Sequence, residues 1–353
     1  MIIARAPFRI TLGGGGTDLP SFYSSHGGFV FAMGIDKYMN VLVNPNIVER
    51  NIRLHYLQSE ATANVAQIRH PLAREALRMH GIEQAMTVTS VADLPARAGV
   101  GSSGSYLVAI LAALRAYTRR SISPDILAEE ACHIEIDLLK EPVGKQDQYM
   151  AAFGGLRVLE IGRDGKVETR TIDVSPGAMH ALAANMHIYY TGVERSASAV
   201  LEKQNAAAGQ SSHENHRQVV ESLLRIKDLG YRILDAVKSE NFDDYGQLLD
   251  EHWQSKKQMS SKISLQFVDE IYETAKAEYG VLGGKIIGAG GGGFLMLYAP
   301  RNHRRLSEFM LRNGMRQLHY SVEYQGAKIV ADLRASHEAG VNHRAEAELC
   351  THS

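Results

Sequence analysis

Residues Ile2 to Leu12 alternate apolar and polar side chains and run straight into a glycine cluster, which predicts a strand. A second strand is predicted over Gly28 to Val43, rich in Phe, Val, Ile and Tyr, with further strands at Asn51–Leu57 and Met86–Val91. Helical spacing lies between these last two, over Pro71–Met79. Ser105 to Tyr117 is apolar nearly all round, the pattern of a buried helix. Ser123 or Asp125 can cap a helix that runs to about Glu141, ahead of Pro142. Strands at Leu156–Ile161 and Val167–Ile172 flank Asp164-Gly165, a hairpin signal. The pattern changes around Pro176-Gly177. A strand at Met186–Thr191 is followed by a mostly helical, polar stretch from Ala197 to about Lys257 and by a helix over Leu265–Tyr279. Lys285–Ile287 leads into a third glycine run, followed by a strand at Phe294–Tyr298, a helix near His303–Asn313 and a final strand near His319–Tyr324. The fold class expected is α+β in two parts, residues 1–180 and 181–353, with the tail from His337 polar.

The chain length of 353 residues agrees with two domains. Thirty-eight basic and 39 acidic side chains leave a net charge of -1, so no electrostatic case exists for a nucleic acid or an anionic membrane as the main partner. The two cysteines, Cys132 and Cys350, exclude a disulfide framework and suit a reducing, cytoplasmic setting. The most apolar stretch, Tyr106 to Leu114, is about half of what a bilayer span needs. Homo-oligomerisation is left open.

Fourteen of the 32 glycines fall in three clusters, at 13–16, at 99, 101 and 104, and between 283 and 293. Glycine costs backbone entropy, so each cluster needs a local reason. Gly99-Val100-Gly101-Ser102-Ser103-Gly104-Ser105 opens directly into the apolar helix, a place where backbone N–H groups and the helix terminus favour a phosphate. It is not a Walker A loop, because Ser105 stands where lysine is required. A dinucleotide fingerprint needs an immediate strand-to-helix turn, and Ala92–Ala98 intervene. In the next helix, Ala128, Ala131, Cys132, Glu135, Leu138 and Leu139 form one stripe, so Glu135 points the way the core does. Such a carboxylate needs a partner, either an arginine or a metal ion whose shell a loop hydroxyl would complete. Asp147, in the loop expected after that helix, reads alone as a turn former; beside a metal and a phosphate loop it could take a proton from an attacking hydroxyl. His213 and His216 lack the geometry of a zinc protease helix.

Pro95-x-x-x-Gly99-Val100-Gly101-Ser102-Ser103-Gly104-Ser105 resembles the phosphate loop of the GHMP kinases. Ala6-Pro7-Phe8-Arg9-Ile10-Thr11-Leu12-Gly13-Gly14-Gly15-Gly16-Thr17-Asp18 resembles that family's first motif, and Gly284-Lys285-Ile286-Ile287-Gly288-Ala289-Gly290-Gly291-Gly292-Gly293-Phe294 its third, in the family's order. The resemblance implies an N-terminal ribosomal-S5-like domain and a C-terminal ferredoxin-like domain with the site between them. It implies ATP held by Gly99, Gly101, Ser102, Ser103, Gly104 and Ser105, and Mg²⁺ held by Ser103 and Glu135. Asp147 is the implied catalytic carboxylate and Arg9 a basic residue near the transferred phosphoryl group. Asp18, Thr17, Gly15, Gly16 and Gly291 are the implied sugar-binding positions. Gly14-Gly15-Gly16-Thr17-Asp18, Lys145-Gln146-Asp147-Gln148-Tyr149 and Tyr190-Thr191-Gly192 with Arg195 look like the branch that phosphorylates D-glycero-D-manno-heptose 7-phosphate at C1. A phosphorylated substrate needs cations, for which Arg195, ahead of Lys203, is the expected residue. The alternatives are a fucokinase-like enzyme acting on an unphosphorylated sugar, a catalytically silent binding protein of the same fold, and a dinucleotide-dependent enzyme.

Overall fold

The computed structural model describes residues 1–193, 213–260 and 263–334. The alternation of Ile2–Gly13 (β1) puts Ala4, Ala6, Phe8, Ile10 and Leu12 on one fully buried face and Arg9 and Thr11 on the other. β1 pairs antiparallel with Gly28–Pro45 (β2), and the register shifts at Pro7, which has no N–H to give the ladder. Ile52–His55 (β3), Ser59–Thr62 (β4) and Met86–Ala92 (β5) extend the sheet on the far side of β2, while Leu156–Ile161 (β6) pairs along the other half of β2 and Val167–Thr171 (β7) pairs with β6. Ser102–Tyr117, the apolar helix, packs against β1 and β2 with residues 104–115 all buried.

Four more strands make a second antiparallel sheet: Met186–Tyr190 (β8), Gly283–Ile286 (β9), Phe294–Tyr298 (β10) and Arg316–Leu318 (β11), in the order β11-β8-β10-β9. Helices His213–Lys238, Phe242–Lys257 and Gln266–Tyr279 fall between its first and second strands, and His303–Arg312 between its third and fourth. Helices between the first and second strands and again between the third and fourth give the ferredoxin-like arrangement. The last described strand, Lys328–Asp332 (β12), returns to pair with β1 and so belongs to the first sheet. No helix among the described residues is long and apolar enough to cross a membrane.

Several expectations need correction. The single helix over Asp125–Glu141 is an α-helix, Pro124–Cys132, continued by a π-helical turn, His133–Leu138. The wider turn throws the stripe out of phase, so Leu138 is 48% exposed while Ala128, Ala131, Cys132 and Glu135 stay buried. Asp147 is not in a loop but in the first turn of a short helix, Gln146–Phe153. His319–Tyr324 is not a strand: it crosses between the two sheets, touching the first through an isolated bridge from Val322 to Ile35 and hydrogen bonds to Gly34, Asp36 and Tyr38. Helices Pro20–His26 and Pro176–Asn185 were not expected; each begins with proline, which suits a first helical turn as well as it suits a break.

His80, at the end of helix Pro71–Met79, is buried. Burial, with Arg120 and Arg115 nearby, pushes its pKa down from 6.5 to about 4. A folded-state pKa below the unfolded one means that the unfolded chain binds more protons. This contribution is therefore fully present above pH 6.5 and is lost as pH falls towards 4. At about pH 5 the loss is about 2 kcal/mol. Urea unfolding of wild type and His80→Leu at about pH 7.5 and pH 5 should show the difference between them moving by that amount in the variant's favour. An unchanged difference would mean that His80 is solvated.

Candidate active site

The second motif begins where β1 holds it. The Arg9 main-chain N–H donates to Val100 O, and the Ser105 hydroxyl donates to Pro7 O at 2.9 Å. Gly101 caps the buried helix in a left-handed conformation (φ 86°), with Ser102 as the first helical residue. The first N–H groups of a helix have no partner within it and carry partial positive charge. The Ser102 hydroxyl is itself buried, has no hydrogen-bond partner among the described residues, and faces a cavity of about 800 Å³. Gly99, Gly101 and Ser103 line the same wall. An orphaned hydroxyl beside a helix N-terminus is a donor set suited to phosphate oxygens.

Asp147 faces this loop. Its Oδ1 accepts from Arg9 Nε at 2.8 Å and from Nη2 at 2.5 Å, while Arg9 Nη1 donates to Gly99 O at 2.7 Å. Arg9 is 3% exposed and so fixes the carboxylate and the loop together. Gly104 and Gly101 fit against Asp147; a Cβ on Gly104 would lie 2.8 Å from Asp147 Cβ. Gly104 is therefore a spacer, and Ser105 joins helix to strand; neither lines the cavity.

Glu135 is 2% exposed and accepts from Gln148 Nε2 at 2.7 Å. The Ser103 hydroxyl also hydrogen-bonds to it, yet burial prevails and pushes its pKa up to about 7. Among the described residues no arginine or lysine pairs with it, so the salt-bridge alternative falls. A buried carboxylate beside a hydroxyl, with no cation of its own, is a hard-oxygen donor set that fits Mg²⁺, an ion that commonly binds through one or two carboxylates plus substrate phosphates.

Asp18 forms the other side of the cavity. It accepts from Gly16 N–H, Gln146 N–H and Gln146 Nε2 at 3.1–3.2 Å, and burial raises its pKa. Gly15, Gly16 and Gln146 line the cavity with it. Thr17 does not: its hydroxyl lies 2.8 Å from Gly14 O and 2.7 Å from Phe29 O, and accepts from Phe29 N–H, so it holds the turn. Gly291 is also turned away, its N–H donating to Ile263 O; the third motif reaches the cavity through Lys285, Ile286, Gly288 and Ala289. Arg195 and Lys203 lie outside the described residues.

Three side chains that sequence reasoning missed complete the wall. His252, Lys256 and Lys285 are 1%, 7% and 3% exposed and line the cavity. Lys285 sits in the third motif, and position four after a histidine was the available sign for Lys256.

Comparison with known proteins agrees with this geometry. Residues 65–155 match the GHMP kinases N terminal domain and residues 233–315 the GHMP kinases C terminal domain. The chain is 24% identical to D-glycero-alpha-D-manno-heptose 7-phosphate kinase of Campylobacter jejuni, over 84% of this chain and 89% of that protein. It is 25% identical to L-fucokinase/L-fucose-1-P guanylyltransferase of Bacteroides fragilis, over 89% of this chain but 36% of that longer protein. Its fold is that of a D-glycero-D-manno-heptose 1-phosphate kinase from Bacteroides thetaiotaomicron (TM-score 0.76, 19% identity, 94% and 99% of the two chains). It is also that of Lactococcus lactis galactokinase (TM-score 0.71, 17% identity, 93% and 94%). The N-terminal match brackets Ser102, Ser103, Glu135 and Asp147, the C-terminal match brackets His252, Lys256 and Lys285, and this chain belongs to the GHMP kinases.

Proposed function

We propose that this kinase transfers the γ-phosphoryl group of ATP to the anomeric C1 hydroxyl of a sugar phosphate, D-glycero-D-manno-heptose 7-phosphate being the acceptor favoured, with the 1,7-bisphosphate as product. The observation that carries the reading is Asp147, fixed by Arg9 against the phosphate loop, lining one cavity with the Ser102 hydroxyl, which has no partner among the described residues. ATP lays its phosphates along Gly99–Ser103, and Asp18, set by Gln146, accepts from sugar hydroxyls. Asp147 orients the C1 hydroxyl and accepts its proton. Arg9 offsets negative charge on the transferred group. Ser103 and Glu135 would hold Mg²⁺, which when bound neutralises phosphate charge.

Support for the heptose comes from the Campylobacter relative, which matches along most of both chains. A fucokinase-like reading has its own support in the Bacteroides fragilis relative. ATP consumption with Mg²⁺ across sedoheptulose 7-phosphate, D-glycero-D-manno-heptose 7-phosphate, mannose 6-phosphate, fucose and galactose separates them. Turnover is expected with the phosphorylated heptose or its mannose 6-phosphate mimic. Turnover on fucose alone would replace the acceptor, and silence with ATP still bound would leave a binding protein.

A further inference from the structure

Helix Phe242–Lys257 sets His252 and Lys256 four residues apart, on one face, and β9 brings Lys285 to the same wall. Lys285 Nζ donates to Leu12 O at 2.9 Å and Lys256 Nζ to Gly288 O. Each ammonium has three protons to give, and among the described residues neither lysine is ion-paired. Among the described residues, neither nitrogen of the His252 ring has a partner beyond its own backbone. The neighbouring Arg9 adds more positive charge and is already engaged by Asp147 and Gly99. Among the described residues Asp18 is the carboxylate that acts on Lys256. Burial, with repulsion from Lys256 and Arg9, holds Lys285 well below the usual lysine range, and burial with Arg9 nearby brings Lys256 to about 8. Two buried ammonium groups and a buried imidazole around one cavity destabilise the fold unless an anion takes up their protons.

We infer that His252, Lys256 and Lys285 form a phosphate subsite on the cavity wall supplied by the C-terminal half of the chain. The ligand is a phosphate group with at least two free oxygens. Lys256 and Lys285 each give it a charged donor, and His252 gives it a neutral one. Two sources carry this chemistry: the terminal phosphate of the nucleotide, and the phosphate that the acceptor already bears. The choice between them rests on the kinase reading, whereas the subsite itself does not.

The test uses the full chain and the variants Lys256→Met, Lys256→Gln and Lys285→Met. Inorganic phosphate should raise the melting temperature of wild type and have little effect on the variants. In phosphate-free buffer the variants should melt at or above wild type, because a buried repulsion has been removed; a lysine with a purely structural role would give the opposite. Calorimetric binding then separates the sources. Loss of about tenfold or more in the preference for ATP over ADP assigns the subsite to the nucleotide. The same loss in the preference for mannose 6-phosphate over mannose assigns it to the acceptor. Variants that keep the phosphate-dependent stabilisation and both preferences would overturn the subsite. A wild type stabilised by inorganic phosphate that binds neither ATP nor a sugar phosphate would retain the subsite and overturn the kinase reading.

Discussion

Asp147→Asn should lower kcat by 10²–10⁴, the usual scale for lost general-base assistance, while ATP affinity stays within about twofold. The geometry makes this substitution informative. Asp147 Oδ1 takes both hydrogen bonds from Arg9, and an asparagine oxygen can accept the same pair. The loop contact from Arg9 to Gly99 O is therefore preserved, and so is the fit of Gly104 against the side chain. What the amide lacks is basicity and charge. Single-turnover rates with saturating ATP, together with calorimetric ATP binding, check both halves. Wild-type turnover in the variant would mean that Asp147 serves only to anchor Arg9. A loss of ATP binding equal to the loss of rate would mean that the pair shapes the phosphate loop rather than the chemistry.

The residues that carry this argument were legible in the sequence to different degrees, for physical reasons. Glu135 was found because a carboxylate on an apolar helical stripe is costly, and that reasoning held although the helix widens into a π turn at that point. Asp147 was found by its neighbours, but its helix spans only Gln146–Phe153, too short for periodicity to show. Gly104, Ser105 and Thr17 were assigned to ligands because motif membership does not tell a residue that touches a ligand from one that supports it. Their hydrogen bonds and packing show the second role. Lys256 was missed because it stands beside Lys257 in a polar helix, where a lysine reads as solvated. Its burial depends on β9 and on the third glycine run, both far away in sequence. β12 was invisible for a similar reason: a short strand near the end of the chain gives no hint that it pairs with the first.

The third glycine run acts on the phosphate loop from behind, and this gives the other large expected effect. A Cβ on Gly288 would lie 2.5 Å from Gly99 O and 2.7 Å from Gly99 Cα, and one on Gly99 would lie 2.4 Å from Ile287 O. Both residues have positive φ, 81° at Gly99 and 79° at Gly288. The two backbones touch with no room for a side chain, so the first can keep its shape only while the second remains bare. Gly288→Ala should destabilise the protein by about 3 kcal/mol, from left-handed strain plus the clash. The clash can be relieved only by moving Gly99, so ATP affinity should fall by about 10²-fold, consistent with misplacement of positioning groups by an ångström. Gly314→Ala is the control. It has a similar φ of 77° but nothing within 4 Å of the added carbon, so it should show strain of about 1–2 kcal/mol and unchanged ATP binding. Urea unfolding and calorimetric titration on both variants separate strain from contact. If Gly288→Ala lost only as much stability as Gly314→Ala and bound ATP like wild type, the third run would be packing and the loop would hold its shape without it. If it lost both, the phosphate loop is a joint product of the two halves of the chain. The ATP site would then form only when β9 and the glycines after it are docked against Gly99.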